Sequence, residues 1–402
     1  MSIVLFTDEY QKITKGMYLV FETLGKEISN ISRVTTLVNK EHWCKEELEK
    51  TSKLYKNMKF EELSYPLPST IMNHFFSPFL KYSLFTKVFY VLGHCLNFIF
   101  LPLIIVSLIV TLKKCNTKSI ISHNGGWPGS PISRWILIAA KILKVKNRCL
   151  IIHSHPAQSP RSLSLIVNTY RKLEARLVKW SATEIMTVSD SVKDVLETSV
   201  FNIPLKRIYN GISIEESVNV SITLDYSPKF PAIGFVGAVN YHKGTLFLLD
   251  GFKRINEPCE LALLGPGEKS FLKILKEKSI DCKNPVHFLG FHNDVDIFLN
   301  RIDFLVVPSI AYESFGMVIL EAMRQKKAVI CTDFGGMKEI VVDGETGFVV
   351  RAGDEVMLAD KITKLLKNKE LATTMGINGY NRFKEYFSSK TMCDNYLKII
   401  NS

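Results

Sequence analysis

Short apolar runs bounded by turn residues alternate, along most of the 402-residue chain, with stretches whose apolar positions recur at helical spacing. In the first half the strand-like runs are Ser2 to Phe6, Ser119 to Ser122 and Cys149 to Ile152. The helix-like stretches are Tyr18 to Ile28, Ile132 to Lys144 and Tyr170 to Trp180. Segment 220–231, with two prolines and little apolar periodicity, breaks this rhythm and reads as a link. A second series follows: Ala232 to Val236, Thr245 to Arg254, Glu260 to Leu264, Val286 to Leu289, Asp303 to Val307, Phe315 to Arg324 and Ala328 to Thr332. Strands alternating with helices predict parallel, helix-covered sheets, so the chain is expected to be α/β with two Rossmann-like domains. The expected division is 1–219 for the first domain, 220–231 for the linker, 232–385 for the second domain and 386–402 for a terminal helix. In open parallel sheets ligands bind beyond the carboxyl ends of strands, and the chemistry is sought there.

Composition agrees with a globular protein: 47% of residues are apolar and 22% charged, enough for two cores. The eight cysteines are scattered, with no Cys-x-x-Cys spacing and no paired histidines that would suggest zinc, which fits reduced thiols. The opening Met1-Ser-Ile-Val-Leu-Phe-Thr-Asp reads as a buried strand rather than an export signal.

Charge changes the picture. Of 51 basic residues, 13 lie between Leu63 and Leu173, where no Asp or Glu occurs; the other 38 face 39 acidic residues elsewhere. Such a field attracts anionic headgroups or lipid phosphates, so 63–173 is expected to meet an anionic membrane surface. Nucleic acid is not expected, since the stretch is long, apolar and carries no reading motif. Within it, Val88 to Leu112 is almost continuously apolar and ends at Lys113-Lys114, although His94, Asn97 and Pro102 interrupt it. Three readings stand: a buried helix, an in-plane membrane anchor, or a span.

The densest chemistry lies after Asp303 to Val307, where Pro308-Ser309 ends a strand and Glu313-Ser-Phe-Gly-Met-Val-Ile-Leu-Glu321 opens a helix. Free amides around Ser314, Phe315, Gly316 and Met317 suit a phosphate, and Gly316 lets a ligand approach the backbone closely. Glu321, expected about two turns in, could reach another part of the same ligand. Gly335-Gly336, Glu339 and Asp343-Gly-Glu-Thr-Gly347 follow at short intervals. Together these residues resemble the donor-site signature of the retaining GT-B glycosyltransferases of family four, including bacterial surface-polysaccharide enzymes.

The resemblance implies that Glu313 contacts a donor sugar and Glu321 a nucleotide ribose. It implies two domains facing a cleft, with the terminal helix returning to the first. Gly237-Ala-Val-Asn-Tyr-His-Lys243-Gly244 resembles the family's Gly-Arg-Leu-x-x-x-Lys-Gly segment, in which Arg and Lys neutralise a diphosphate. Lys243 matches, whereas Ala238 stands at the Arg position, leaving one cation fewer. By the same likeness, Gly16 lies in the donor-side loop after the first strand. The resemblance also implies that His153, ending a buried strand, contacts the donor sugar near the reacting carbon. The loop Ser122-His123-Asn124-Gly125-Gly126-Trp127-Pro128-Gly129 is glycine-rich with an aromatic, suited to stacking on an acceptor sugar.

The implied activity is transfer of a hexosyl unit from a nucleotide-diphosphate sugar, with UDP as the expected nucleotide, to a glycan or lipid-linked glycan. It would proceed with retention, without metal or other cofactor, in the cytoplasm at the membrane. Glycoside hydrolysis, nucleotide-sugar epimerisation and a non-catalytic, transferase-like binding protein are the alternatives.

Overall fold

The computed structural model describes residues 2–8, 15–39, 42, 44–63, 83–155, 164–215 and 224–401. The chain divides into two units, one of 1–187, 195–206 and 399–402, the other of 188–194 and 207–398.

In the first unit, strands β1 (Ser2–Thr7), β2 (Arg33–Asn39), β3 (Met58–Leu63), β4 (Ser119–Asn124), β5 (Asn147–Ile152), β6 (Glu184–Thr187) and β7 (Lys206–Arg207) form one sheet in the order β3-β2-β1-β4-β5-β6-β7. Strands β1 to β6 pair in parallel. The connecting helices are α1 (Lys15–Ser29), α2 (Lys45–Leu54), α3 (Ser83–Lys114), α4 (Pro131–Ile142) and α5 (Ser164–Ser181). Burial on both faces explains why these strands read as continuous apolar runs: Ile3 to Phe6, Ile120 and Ile121, and Cys149 to Ile152 are all at or near zero exposure.

The strand order reverses between β1 and β4, and the register sets Thr7 beside His123. Asp8, His123 and His153 therefore gather at the carboxyl edge of this sheet's switch point. A buried ion pair shapes the adjoining loop. Arg134 and Glu174, both essentially unexposed, pair at 2.7 Å, and Arg134 also donates to the carbonyls of Pro128, Gly129 and Ser130.

The apolar run 88–112 lies within α3. Its described side chains divide by face: Ile104, Leu108 and Leu112 are buried, and the helix packs on α4. Ile99, Leu103, Val106 and Val110 point outward. No helix among the described residues is long and apolar enough to cross a membrane.

The second unit begins with α6 (Asp190–Leu196), whose first residues group here. Its sheet, β10-β9-β8-β11-β12-β13, is wholly parallel and is built from β8 (Ala232–Val236), β9 (Glu260–Leu264), β10 (Val286–Gly290), β11 (Phe304–Val307), β12 (Ala328–Thr332) and β13 (Gly347–Val350). Helices α7 (Thr245–Phe252), α8 (Lys269–Ser279), α9 (Val295–Arg301), α10 (Met317–Arg324), α11 (Met337–Ile340), α12 (Glu355–Lys367), α13 (Lys369–Tyr386) and α14 (Ser389–Asn401) follow, the last residues of α14, from 399, grouping with the first unit. The order reverses between β8 and β11, which places the residues following those two strands at the position where doubly wound sheets receive ligands.

Candidate functional site

The two motif segments that follow β8 and β11, some seventy positions apart in sequence, meet at this reversal. After β8 the chain turns through Asn240, whose side-chain oxygen accepts the Lys243 amide at 2.9 Å. It enters α7 at Gly244, a residue in the left-handed region with φ 71°. A Cβ there would lie 1.8 Å from the Pro308 carbonyl oxygen, so only glycine admits the loop from β11 so closely. The His242 carbonyl accepts the amides of Ile310 and Ala311 at 3.1 and 3.2 Å, fastening one loop to the other. Held in this way, the Lys243 ammonium pairs with the Glu313 carboxylate. The lysine side chain is 37% exposed and the glutamate 23%, so the pair borders solvent and is neither sealed in the core nor loose.

Glu313 is held from behind. Gly336 donates its amide to the Glu313 carbonyl at 2.8 Å, and Cβ atoms at Gly335 and Gly336 would fall 2.0 and 2.4 Å from the Glu313 and Ser314 oxygens. The glycine pair thus serves close backbone packing. Ser189 Oγ donates to the Ser314 carbonyl at 2.7 Å. Both oxygens of Glu339 accept amides at the start of α6, from Asp190 and Ser191, each at 2.8 Å. Glu339 is accordingly a structural cap. Asp343 likewise accepts the Val349 amide at 2.9 Å, fixing the turn into β13.

Helix α10 starts at Met317, two residues later than the apolar pattern suggests. Gly316, with φ 98°, breaks the path before it and offers no side-chain cap. Its first amides are therefore left for another acceptor. Phe315 is not part of the helix: its ring is buried and packs against Tyr209 and Phe387 at centroid distances of 5.7 and 6.0 Å. Its side chain is therefore closed to a ligand. Ser314, Met317 and Glu321 are half-buried. With the later start, Glu321 stands just over one turn into the helix instead of two.

In the first unit, His153 is buried at the end of β5. Its ring stacks on that of His123, and Nε2 lies 3.0 Å from His123 Nδ1. Burial lowers the His153 pKa to about 3 and pushes His123 down as well, the neighbouring ring adding to the latter. Two neutral imidazoles sharing one N–H···N bond result. Asp8, also buried, accepts the Ser130 hydroxyl at 2.6 Å. His123 and Asp8 were not singled out from sequence, yet both follow the strand-end rule that identified His153.

Three sequence expectations for this unit need correction. Gly16 lies within the first turn of α1 and not in the loop before it. Trp127 is 1% exposed, packed edge-on to Phe201 at 4.6 Å beneath the Arg134 guanidinium, and has no face for an acceptor sugar. Asn124 is buried and occupied: its amide donates to the Pro128 carbonyl and its oxygen accepts the Ser130 amide, both at 3.0 Å. Gly125 remains half-buried in that loop.

The sequence profile of the family described as Glycosyl transferases group 1 matches residues 225–382. An uncharacterized glycosyltransferase of Methanocaldococcus jannaschii is 32% identical over 246 residues, 61% of this chain and 66% of that protein. The capsular polysaccharide biosynthesis glycosyltransferase CapM of Staphylococcus aureus is 31% identical over 250 residues, 57% of this chain and 64% of the relative. The alignments thus span just under two thirds of these relatives. Among solved structures, Anabaena HepE in complex with UDP superposes with a TM-score of 0.72 at 19% identity, covering 100% of both chains, a likeness of fold. The same protein has also been solved with UDP-glucose. Two parallel-sheet, Rossmann-like α/β domains of the GT-B fold therefore make up this chain, and its residues 225–382 match the profile of the Glycosyl transferases group 1 family.

Proposed function

We propose that this protein is a retaining, metal-independent hexosyltransferase. It would move a sugar from a nucleotide-diphosphate donor, UDP first among candidates, to a glycan or lipid-linked glycan in surface-polysaccharide synthesis on the cytoplasmic side of a membrane. The observation that carries the reading is the pairing of Lys243 with Glu313 beside the uncapped start of α10, at the strand-order reversal of the second sheet.

A departing diphosphate accumulates negative charge. Lys243 and the amides at Met317 and the residues before it are the groups suited to stabilise it. Glu313 would accept hydrogen bonds from donor-sugar hydroxyls, and Glu321 from a ribose. His153, neutral by burial, can donate one N–H to a sugar hydroxyl without adding charge. HepE's complexes with UDP and UDP-glucose and CapM's name support the choice of nucleotide and of pathway.

A panel of nucleoside diphosphates and nucleotide sugars, screened for protection against thermal unfolding, tests the donor site. UDP should protect the wild-type protein and should protect Lys243→Met far less. Protection by none of the panel would end the proposal. Turnover of a nucleotide sugar to its epimer without acceptor would replace transfer with epimerisation.

A further inference from the structure

His123 has no part in the sugar-transfer reading, yet its ring is bonded to that of His153. It is the penultimate residue of β4 and stands beside Thr7 of β1, at the strand-order reversal of the first sheet. The β4–β5 ladder runs one residue further, the His153 amide donating to the Asn124 carbonyl at 2.9 Å. The Phe21 ring of α1 meets His123 edge-on, with 5.2 Å between centroids and 83° between planes. The two imidazoles lie within 20° of parallel with centroids 5.2 Å apart, offset so that His123 Nδ1 and His153 Nε2 face each other at 3.0 Å. Both are buried, at 1% and 9% exposure, so close packing opposes rotation of either ring.

A neutral imidazole carries one N–H and one lone pair, so a bond between two of them commits one nitrogen of each. Burial disfavours the charged forms: it lowers the pKa of both rings, and the adjoining ring lowers that of His123 further. Since Nε2 of His153 is engaged by His123, Nδ1 is the ring nitrogen left for a ligand. What Nδ1 offers depends on the direction of the ring-to-ring bond. If His123 donates, His153 accepts at Nε2 and carries its own proton on Nδ1. If His153 donates, its Nδ1 is a bare lone pair. Glu313 presents acceptors only, whereas a sugar hydroxyl both donates and accepts. A donor at His153 complements that carboxylate, and a second acceptor would not.

We propose that His123 is a positioning residue for sugar transfer: its Nδ1–H donates to Nε2 of His153 and so fixes His153 as the Nδ1–H tautomer, a neutral donor for a hydroxyl of the transferred hexose. The inference rests on the sugar-transfer reading and on its assignment of His153 to the donor sugar. His123 itself touches no substrate and acts through the second ring, because the bond made by one imidazole nitrogen decides whether the other carries the proton. With the proton placed before the donor arrives, binding requires no rearrangement of the pair. The gain is confined to the hexosyl portion, since UDP alone carries none of the hydroxyls concerned.

The test begins with the full chain labelled with nitrogen-15 at histidine. Proton–nitrogen correlation spectra of the ligand-free protein at neutral pH should show His153 protonated at Nδ1 and bare at Nε2, its signals being identified by their loss in His153→Gln. The Nδ1–H signal should weaken in His123→Leu and persist in His123→Asn, whose amide can donate from the Nδ1 position. In acceptor-free hydrolysis of UDP-glucose, UDP-galactose and UDP-N-acetylglucosamine, His123→Leu should lower kcat/KM on the best substrate roughly ten-fold and leave protection by UDP unchanged. His123→Asn should recover most of that loss, which a merely structural role would not predict. In a His153→Gln background, His123→Leu should cost nothing further. An Nε2–H His153 in a protein that UDP protects overturns the inference alone, as does an undiminished effect of His123→Leu in the His153→Gln background. Failure of UDP to protect the wild-type protein overturns the donor role together with the reading it rests on. The tautomer is read on the wild-type protein, so it decides even where His123→Leu does not fold.

Discussion

Replacing Lys243 with Met separates stability from donor binding, and the size of each effect follows from the geometry. The Lys243–Glu313 pair is partly solvated, at 37% and 23% exposure, so its own worth to folding is about 0–1 kcal/mol. A charge-assisted contact from an ammonium to a phosphate contributes about 1.5–3 kcal/mol, or roughly ten- to hundred-fold in Kd. Lys243→Met should therefore leave the unfolding midpoint nearly in place while weakening UDP by that factor in isothermal titration calorimetry. Glu313→Gln should act in the opposite sense on UDP. Removing the carboxylate that competes for the ammonium frees Lys243, and UDP should tighten by about two- to five-fold, the reciprocal of a weak surface pair. Turnover of the complete nucleotide sugar should nevertheless fall by about ten-fold or more, because a sugar-hydroxyl acceptor is lost. The double variant should bind UDP like Lys243→Met alone. If Glu313→Gln weakens UDP as much as Lys243→Met does, the carboxylate does not compete with the diphosphate and the assignment of roles is wrong.

Other consequences are open to direct measurement. Gly244→Ala, which would force a Cβ to 1.8 Å from the Pro308 oxygen at a left-handed φ, should destabilise the second unit by about 2–4 kcal/mol in urea unfolding and reduce donor protection together with it. Glu339→Ala strips the acceptor from the Asp190 and Ser191 amides and should cost about 1–2 kcal/mol without changing UDP affinity. Glu174→Leu leaves the Arg134 cation buried alone and should cost about 3–5 kcal/mol, whereas Arg134→Met/Glu174→Leu should cost less than the single change. Acid should weaken the first unit. His153 has a folded pKa near 3 against an ordinary 6.5, so the unfolded chain binds the proton first and stability falls as pH drops from 6.5 towards 3, by up to about 1.4 kcal/mol per pH unit. His153→Gln should flatten that slope in pH-dependent denaturation.

The alternation of strands and helices was readable because strands buried on both faces, such as β5 and β12, leave unbroken apolar runs. Motif residues placed after β8 and β11 were legible for the same reason, since the strand ends fix where the turns begin. The first residue of α10 was not. Phe315 fits the helical period, yet it is buried by Tyr209 and Phe387, and a left-handed Gly316 delays the helix. Trp127 misled in the opposite direction: an aromatic among glycines looks exposed, and only Phe201 and Arg134, distant in sequence, bury it. The association of 188–194 with the second unit includes Glu339 receiving two amides and Ser189 donating to the Ser314 carbonyl, pairings across 125 to 149 positions that no local pattern announces. The charge bias of 63–173 was plain in the sequence, but which apolar residues face outward required the phase of α3 against α4.

One carbonyl oxygen, that of His242, receives two amides from the neighbouring loop. The cation and the carboxylate are consequently coupled in position, since a shift of one loop is transmitted to the other. Anyone wishing to retune this protein towards a different sugar should leave that knot untouched and vary the periphery, where change does not disturb the anchoring of charge.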